Sequence, residues 1–121
     1  MAISLLHKKQ YFSMLIAHLI LKAHELGFDI VVGEVKRGRQ QADYNASVGI
    51  GTVNSLHIDG LAVDVMLYKN DVYLTCSDDY LPLGEWWESQ SQLPDIKCCW
   101  GGRFKNLKDG GHFSVEHEDR K

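Results

Sequence analysis

Apolar residues recur at helical spacing through residues 11–27, at Phe12, Leu15, Ile16, Leu19, Ala23 and Leu26. One apolar stripe of this period predicts an amphipathic helix lying on a core. Ser4 suits its N-cap and Gly27 its C-terminal stop, while His7, His18 and His24 fall on the polar side. "FDIVVGEV" follows, rich in β-branched residues, and reads as a strand. The polar "GRQQADYNAS" predicts a short helix, and "VGIGTVN" a glycine-punctuated loop. "LAVDVMLY" and "DVYLTC" flank Lys69-Asn70 and predict a hairpin with a tight turn. "DDYLPLGEWWESQSQL" holds a helix and its lead-in loop, with Asp78 and Asp79 at the helix start and Trp86 and Trp87 as core and surface aromatics. "IKCCW" reads as a buried strand, "GGRFKNLKDGG" as loop, and "HFSVEH" alternates as a final strand, with Glu116 and His117 at its exposed end. Two or three helices around a small, mainly antiparallel sheet of four or five strands make an α+β fold, expected as a single domain over residues 1–121.

Composition narrows the function more than the fold. A chain of 121 residues, 45% hydrophobic and 24% charged with two prolines, is an ordinary globular domain. A formal charge of −3 leaves no basic stripe, which argues against nucleic acid as a partner. Cys76, Cys98 and Cys99 form no CxxC spacing, so neither a disulfide framework nor a cysteine zinc knuckle is legible, and a reduced cytoplasmic start is expected. Lys8 and Lys9 ahead of the apolar run resemble the start of a signal peptide. The helical spacing, the interruptions at His18, Lys22 and His24, and the short length favour a core helix, so no membrane insertion is expected.

The chemistry concentrates in "SLHIDGLAVDV" and "DGGHFSVEH". Asp64 stands in the middle of an apolar strand, and a carboxylate buried there is costly unless paired, hydrogen-bonded or metal-bound. Alternation puts Ala62, Asp64 and Met66 on one face, with Leu61, Val63, Val65 and Leu67 on the other. His57 precedes Gly60 in a loop that can fold back toward the same spot. His112, Ser114 and Glu116 share a strand face, and Asp109 precedes His112 by a two-glycine turn. Two imidazoles and one carboxylate suit a catalytic zinc site with a fourth position open. Asp109 would then be a carboxylate beside the metal that takes a proton from the attacking water. Each residue alone also has a plainer reading, as a surface histidine, a solvated aspartate or a simple turn, and the His57–Asp64 spacing is not diagnostic by itself.

"SLHIDGLAVDV" resembles the S-x-H-x-x-G-x-A-x-D signature of the zinc D-alanyl-D-alanine carboxypeptidase and L-alanyl-D-glutamate endopeptidase family. "WGGRFKNLKDGGHF" is similar to that family's second signature, a W-G-G run followed by D-x-x-H-F, and Arg37 with Gln41 matches a looser third element. The resemblance covers about residues 28 to 116. It implies that His57, Asp64 and His112 bind zinc on the sheet face and that Asp109 is the catalytic base. It further implies that Arg37 polarises the scissile carbonyl or holds a substrate carboxylate, that Ser55 contacts substrate, and that Trp100 shapes the substrate cleft. Arg39 competes with Arg37, because "KRGRQQ" permits a register shift.

The sequence departs from the family at Arg103, where aspartate is common, at Phe104, where tryptophan is common, and at Ser114, where an acidic residue often stands. These positions bear on cleft shape and substrate preference. The implied activity is zinc-dependent hydrolysis of the peptidoglycan stem peptide. Short single-domain members resemble phage endolysins that cut the L-Ala–D-Glu bond, so a monomeric endolysin is expected, cytoplasmic before release and acting on the cell wall. The alternatives are a D-alanyl-D-alanine carboxypeptidase and a catalytically silent zinc-binding module on the same fold. A non-haem iron oxygenase also uses two histidines and a carboxylate, but its close H-x-D/E pair is absent here.

Overall fold

The computed structural model describes residues 3–33, 60–92, 95–105 and 108–117. Helix α1 (Leu5–Glu25) starts where the sequence puts it, with Ser4 Oγ accepting the His7 N–H at 3.2 Å. Its other end is a Schellman turn. Gly27 takes a φ of +91°, its N–H donates to His24 O at 3.0 Å, and Phe28 N–H donates to Ala23 O at 2.9 Å. The turn sends the chain directly into β1 (Asp29–Val32). Of the predicted stripe, Phe12, Leu15, Leu19 and Ala23 are buried, and Ile16 and Leu26 pack partly against them. Among the described residues no helix is long and apolar enough to cross a membrane.

The remaining strands are β2 (Ala62–Lys69), β3 (Val72–Tyr73), β4 (Cys98–Trp100) and β5 (His112–Val115). All described strand pairings are antiparallel, in the order β1-β2-β5-β4. β2 is the axis of the sheet. β1 lines one edge of it, while β5 pairs with its first half and β3 with its last residues. Val63, Val65 and Leu67 are buried, whereas Asp64, Met66 and Tyr68 are only half-buried, which is the alternation the sequence predicts.

Two expectations give way. The hairpin turn is Asn70-Asp71, one residue beyond Lys69-Asn70, with φ values of 52° and 64°. A two-residue turn of this hand needs positive φ at both positions, and Asn and Asp tolerate that better than Lys. β5 does not alternate, because all four of its residues are buried. It lies inside the sheet, its Phe113 packs edge-on against Trp87 at 5.7 Å, and the Gly101–Phe104 segment closes over His112.

A 3-10 turn (Ser77–Tyr80), which holds Asp78 and Asp79, leads into helix α2 (Leu81–Ser89), so the two aspartates precede α2 and do not stand in its first turn. Trp87 is fully buried between Phe12 and Phe113 and donates its indole N–H to Ser114 O at 3.0 Å, tying α2 to β5. Trp86 is only partly buried. The result is the α+β architecture expected from the pattern, with two α-helices and one antiparallel sheet among the described residues. His7, His18 and His24 are exposed on α1. His117 is not a loose end, since its Nδ1 lies 3.2 Å from Lys8 Nζ, which also donates to Glu116 O at 3.3 Å.

Candidate metal centre

Asp64 and His112 are direct cross-strand partners in the β2–β5 ladder. Opposite residues of an antiparallel pair project their side chains to the same face. The imidazole Nδ1 of His112 and Oδ1 of Asp64 are 3.5 Å apart. The histidine side chain is 11% exposed and the aspartate 41%, so the expectation of a buried Asp64 carboxylate needs correcting. Its Oδ1 is shut off from solvent, while the rest of the group is accessible at the mouth of a cleft. The face of β2 opposite the core is open here, so hydration offsets part of the cost that full burial would impose.

Asp109 arrives on a turn fastened at every peptide. His112 N–H donates to Asp109 O at 3.1 Å, and Val65 N–H donates to Gly111 O at 2.9 Å. Asp109 N–H donates to Gly101 O at 3.0 Å, Gly110 N–H to Ser77 Oγ at 3.1 Å, and Trp100 Nε1–H to Gly110 O at 2.8 Å. The two glycines answer to close approach. A Cβ on Gly110 would meet Ser77 Cα at 2.7 Å, and one on Gly111 would meet Val65 O at 2.5 Å. Gly101 is equally constrained, because a Cβ there would collide with Asp109 O.

These connections bring Asp64, Asp109 and His112 into one cluster whose donor atoms lie within 4.8 Å of one another. Two ligands about 2.0–2.1 Å from a tetrahedral zinc stand roughly 3.3–3.4 Å apart. The 3.5 Å separation of Asp64 Oδ1 and His112 Nδ1 fits that geometry, and carboxylate with imidazole is a donor set such a cation takes.

His57, Ser55, Arg37 and Arg39, all singled out by sequence, lie outside the described residues. Trp100 is 3% exposed and its indole N–H donates to Gly110 O, so it holds the Asp109 turn from within. Phe104 rests beside the His112 ring with centroids 5.4 Å apart. Arg103 lies over the Trp100 ring at 5.3 Å and forms a two-pronged pair with Glu88 at 3.1–3.3 Å. Ser114 is fully buried.

A cleft of about 300 Å³ opens beside the cluster, lined by Asp64, Asp109, Tyr80, Ser77, Thr75 and Lys108 among others. The Tyr80 hydroxyl accepts from Leu67 N–H at 3.1 Å and donates to Leu74 O at 2.8 Å. Burial pushes its acidity down, raising the pKa; the Leu67 hydrogen bond opposes this, and the charges of Tyr73, Asp109 and Asp79 add to it. Tyr80 thus stays a neutral structural phenol in the cleft wall. Sequence reasoning missed both Ser77 and Tyr80. The one available signal was a serine at a helix start, which ordinarily caps its own helix, whereas this hydroxyl reaches across to Gly110.

Residues 49–115 match the protein family described as D-alanyl-D-alanine carboxypeptidase. Among solved structures, the L-Ala D-Glu endopeptidase ChiX of Serratia marcescens is similar, at 29% identity and a TM-score of 0.63, over 75% of this chain and 69% of that one. No curated protein sequence matches the chain. The family match spans more than half of the chain and contains Asp64, Asp109 and His112. With that match and a clustered metal-binding donor set, the chain belongs to the D-alanyl-D-alanine carboxypeptidase family of zinc metallopeptidases, enzymes that act on peptidoglycan.

Proposed function

We propose that this protein is an L-alanyl-D-glutamate endopeptidase that cuts the stem peptide of bacterial peptidoglycan and serves as a phage endolysin. The observation that carries the reading is the Asp64–His112 pair, 3.5 Å apart on neighbouring strands, with the Asp109 carboxylate in the same cluster. His57, Asp64 and His112 are the residues that would hold zinc. When bound, zinc lowers the pKa of water and polarises a carbonyl.

Asp109 takes the proton of the attacking water and returns it to the departing amine as the C–N bond breaks. Its anchored turn keeps that carboxylate at one position relative to the scissile bond, which is where much of the rate gain from orientation arises. Arg37 polarises the scissile carbonyl or grips a substrate carboxylate through its planar fork. Ser55 contacts the substrate nearby. Trp100 supports the site through Gly110.

The likeness to ChiX supports the endopeptidase reading over terminal D-alanine removal. The description of the matched family favours the second reading, a D-alanyl-D-alanine carboxypeptidase. A silent zinc-binding module has no use for a carboxylate held beside the donor pair, so Asp109 argues for catalysis.

Digestion of purified peptidoglycan, with the new termini identified by mass spectrometry, separates the readings. The endopeptidase releases peptides with a free D-glutamyl amino terminus, and free D-alanine as the main product would install the alternative. Chelation is expected to abolish the cut and zinc to restore it. As an endolysin the protein would act as a monomer, accumulate in the cytoplasm and meet the wall only after a separate pore opens the membrane. Rapid lysis of permeabilised cells by added protein is its expected result.

A further inference from the structure

Three charged side chains line the cleft beside the metal cluster among the described residues: Asp64, Asp109 and Lys108. The two carboxylates have roles at the metal and at the attacking water. Lys108 has none. It is exposed, and among the described residues it makes no hydrogen bond or ion pair with either carboxylate or with any other group. Thr75, exposed in the same cleft, adds a hydroxyl that is likewise not engaged among the described residues. The neighbouring hydroxyls are committed, Ser77 to Gly110 N–H and Tyr80 to Leu67 and Leu74.

An uncommitted ammonium and a hydroxyl at the lip of a cleft whose catalytic end is acidic select for an anion on the substrate a short distance from the cut bond. A peptidoglycan stem offers one there. Its D-glutamyl residue is joined onward through the side-chain carboxyl, which leaves the α-carboxyl either free and charged or capped as an amide.

We infer that Lys108 is a specificity residue that pairs with the free α-carboxylate of the D-glutamyl residue on the departing side of the cleaved bond. This inference rests on the endopeptidase reading. The pair forms at the solvent-facing rim, so its effect is moderate and weakened by salt. It makes the enzyme a reader of wall chemistry, favouring stems with free D-glutamate over stems in which that carboxyl is amidated.

Two synthetic stem peptides, identical except for D-glutamate or its α-amide, test the idea in the wild-type enzyme and in Lys108→Gln and Lys108→Arg. The wild type is expected to cleave the acid with a kcat/KM about fivefold above the amide, the range of an exposed ion pair. The difference should lie mainly in KM and shrink at high salt. Lys108→Gln should bring the ratio to about one by losing activity on the acid peptide, and Lys108→Arg should retain the preference. A wild-type ratio of one, or a preference that survives in Lys108→Gln, overturns the assignment while leaving the endopeptidase reading intact. Cleavage at the terminal D-alanine in place of the L-Ala–D-Glu bond overturns both, and the mass of the products tells the two failures apart.

Discussion

The indole N–H of Trp100 donates to the carbonyl of Gly110 at 2.8 Å, so a side chain from the W-G-G run holds the backbone of the turn that delivers Asp109. The two halves of the second signature are thereby one mechanical unit. The ring is also packed closely on Gly84 and Gly102, where any side chain would collide with it.

Trp100→Phe removes the donor and leaves the Gly110 carbonyl inside the protein without it. Losing a partner for a buried polar group costs about 1–3 kcal/mol, and the melting temperature should drop by several degrees. Because Asp109 shifts with the turn, peptidase activity should fall by about 10–100-fold. A variant that melts earlier but keeps full activity would show that the turn is held by its other bonds.

Asp109→Asn keeps the shape of the side chain and removes the proton acceptor. General-base catalysis contributes roughly 10²–10⁴-fold, and a loss of that order is expected with zinc content near the wild-type level. His112→Ala should instead lose zinc and activity together, since it removes one of the two closely paired donors. Zinc occupancy and rate measured side by side decide between the roles. If Asp109→Asn loses its zinc, Asp109 is a ligand, and its presence within the 4.8 Å cluster has a different meaning.

Arg37→Lys should lose most activity while folding normally, because an ammonium cannot reproduce the bidentate fork of a guanidinium. The same substitution at Arg39 is the control. Should Arg39→Lys be the crippled variant, the register of the "KRGRQQ" segment is the other one.

The thiols should separate cleanly. Burial pushes Cys98 up to about 12, against a weaker opposing effect of Ser91 and a small reinforcement from Cys99, while Cys76 is exposed. Thiolate is the reactive form. A disulfide reagent at pH 8 should therefore modify Cys76 first, with Cys98 reacting only on unfolding. The raised Cys98 value also has a sign in stability: the contribution of its neutral thiol is complete below the unfolded thiol range and is lost as pH rises toward 12. Fast reaction of Cys98 in the native state would refute the burial argument.

Much of this molecule was legible in its sequence where local rules act alone. Ser4, the apolar stripe and Gly27 fixed α1 to within a residue or two, and the alternation around Asp64 separated its core and cleft faces. The hairpin slipped by one residue, because the pattern of the flanking strands constrains the turn less than the φ requirement that Asn70 and Asp71 meet. β5 misled for a different reason: polar residues at alternate positions suggest an open face, but a segment that precedes it in the chain folds over His112. Ser77 and Tyr80 left no periodic trace at all. They act through side chain-to-backbone bonds between distant segments, as when Ser77 reaches Gly110 across 33 positions.

The cross-strand seating of Asp64 and His112 bears finally on what the metal does for the protein. Both residues belong to strands already joined by the β2–β5 ladder and backed by Val63 and Phe113 in the core. At these two positions a bound ion would therefore not organise its own ligands, as it does in small domains that fold only around zinc. Little chain entropy remains to be lost at these two positions on binding, so affinity there is preorganised by the sheet. Stripped of metal, the protein should remain folded, with the amides of β2 and β5 among its slowest to exchange with solvent, an idle enzyme ready to be switched on by loading.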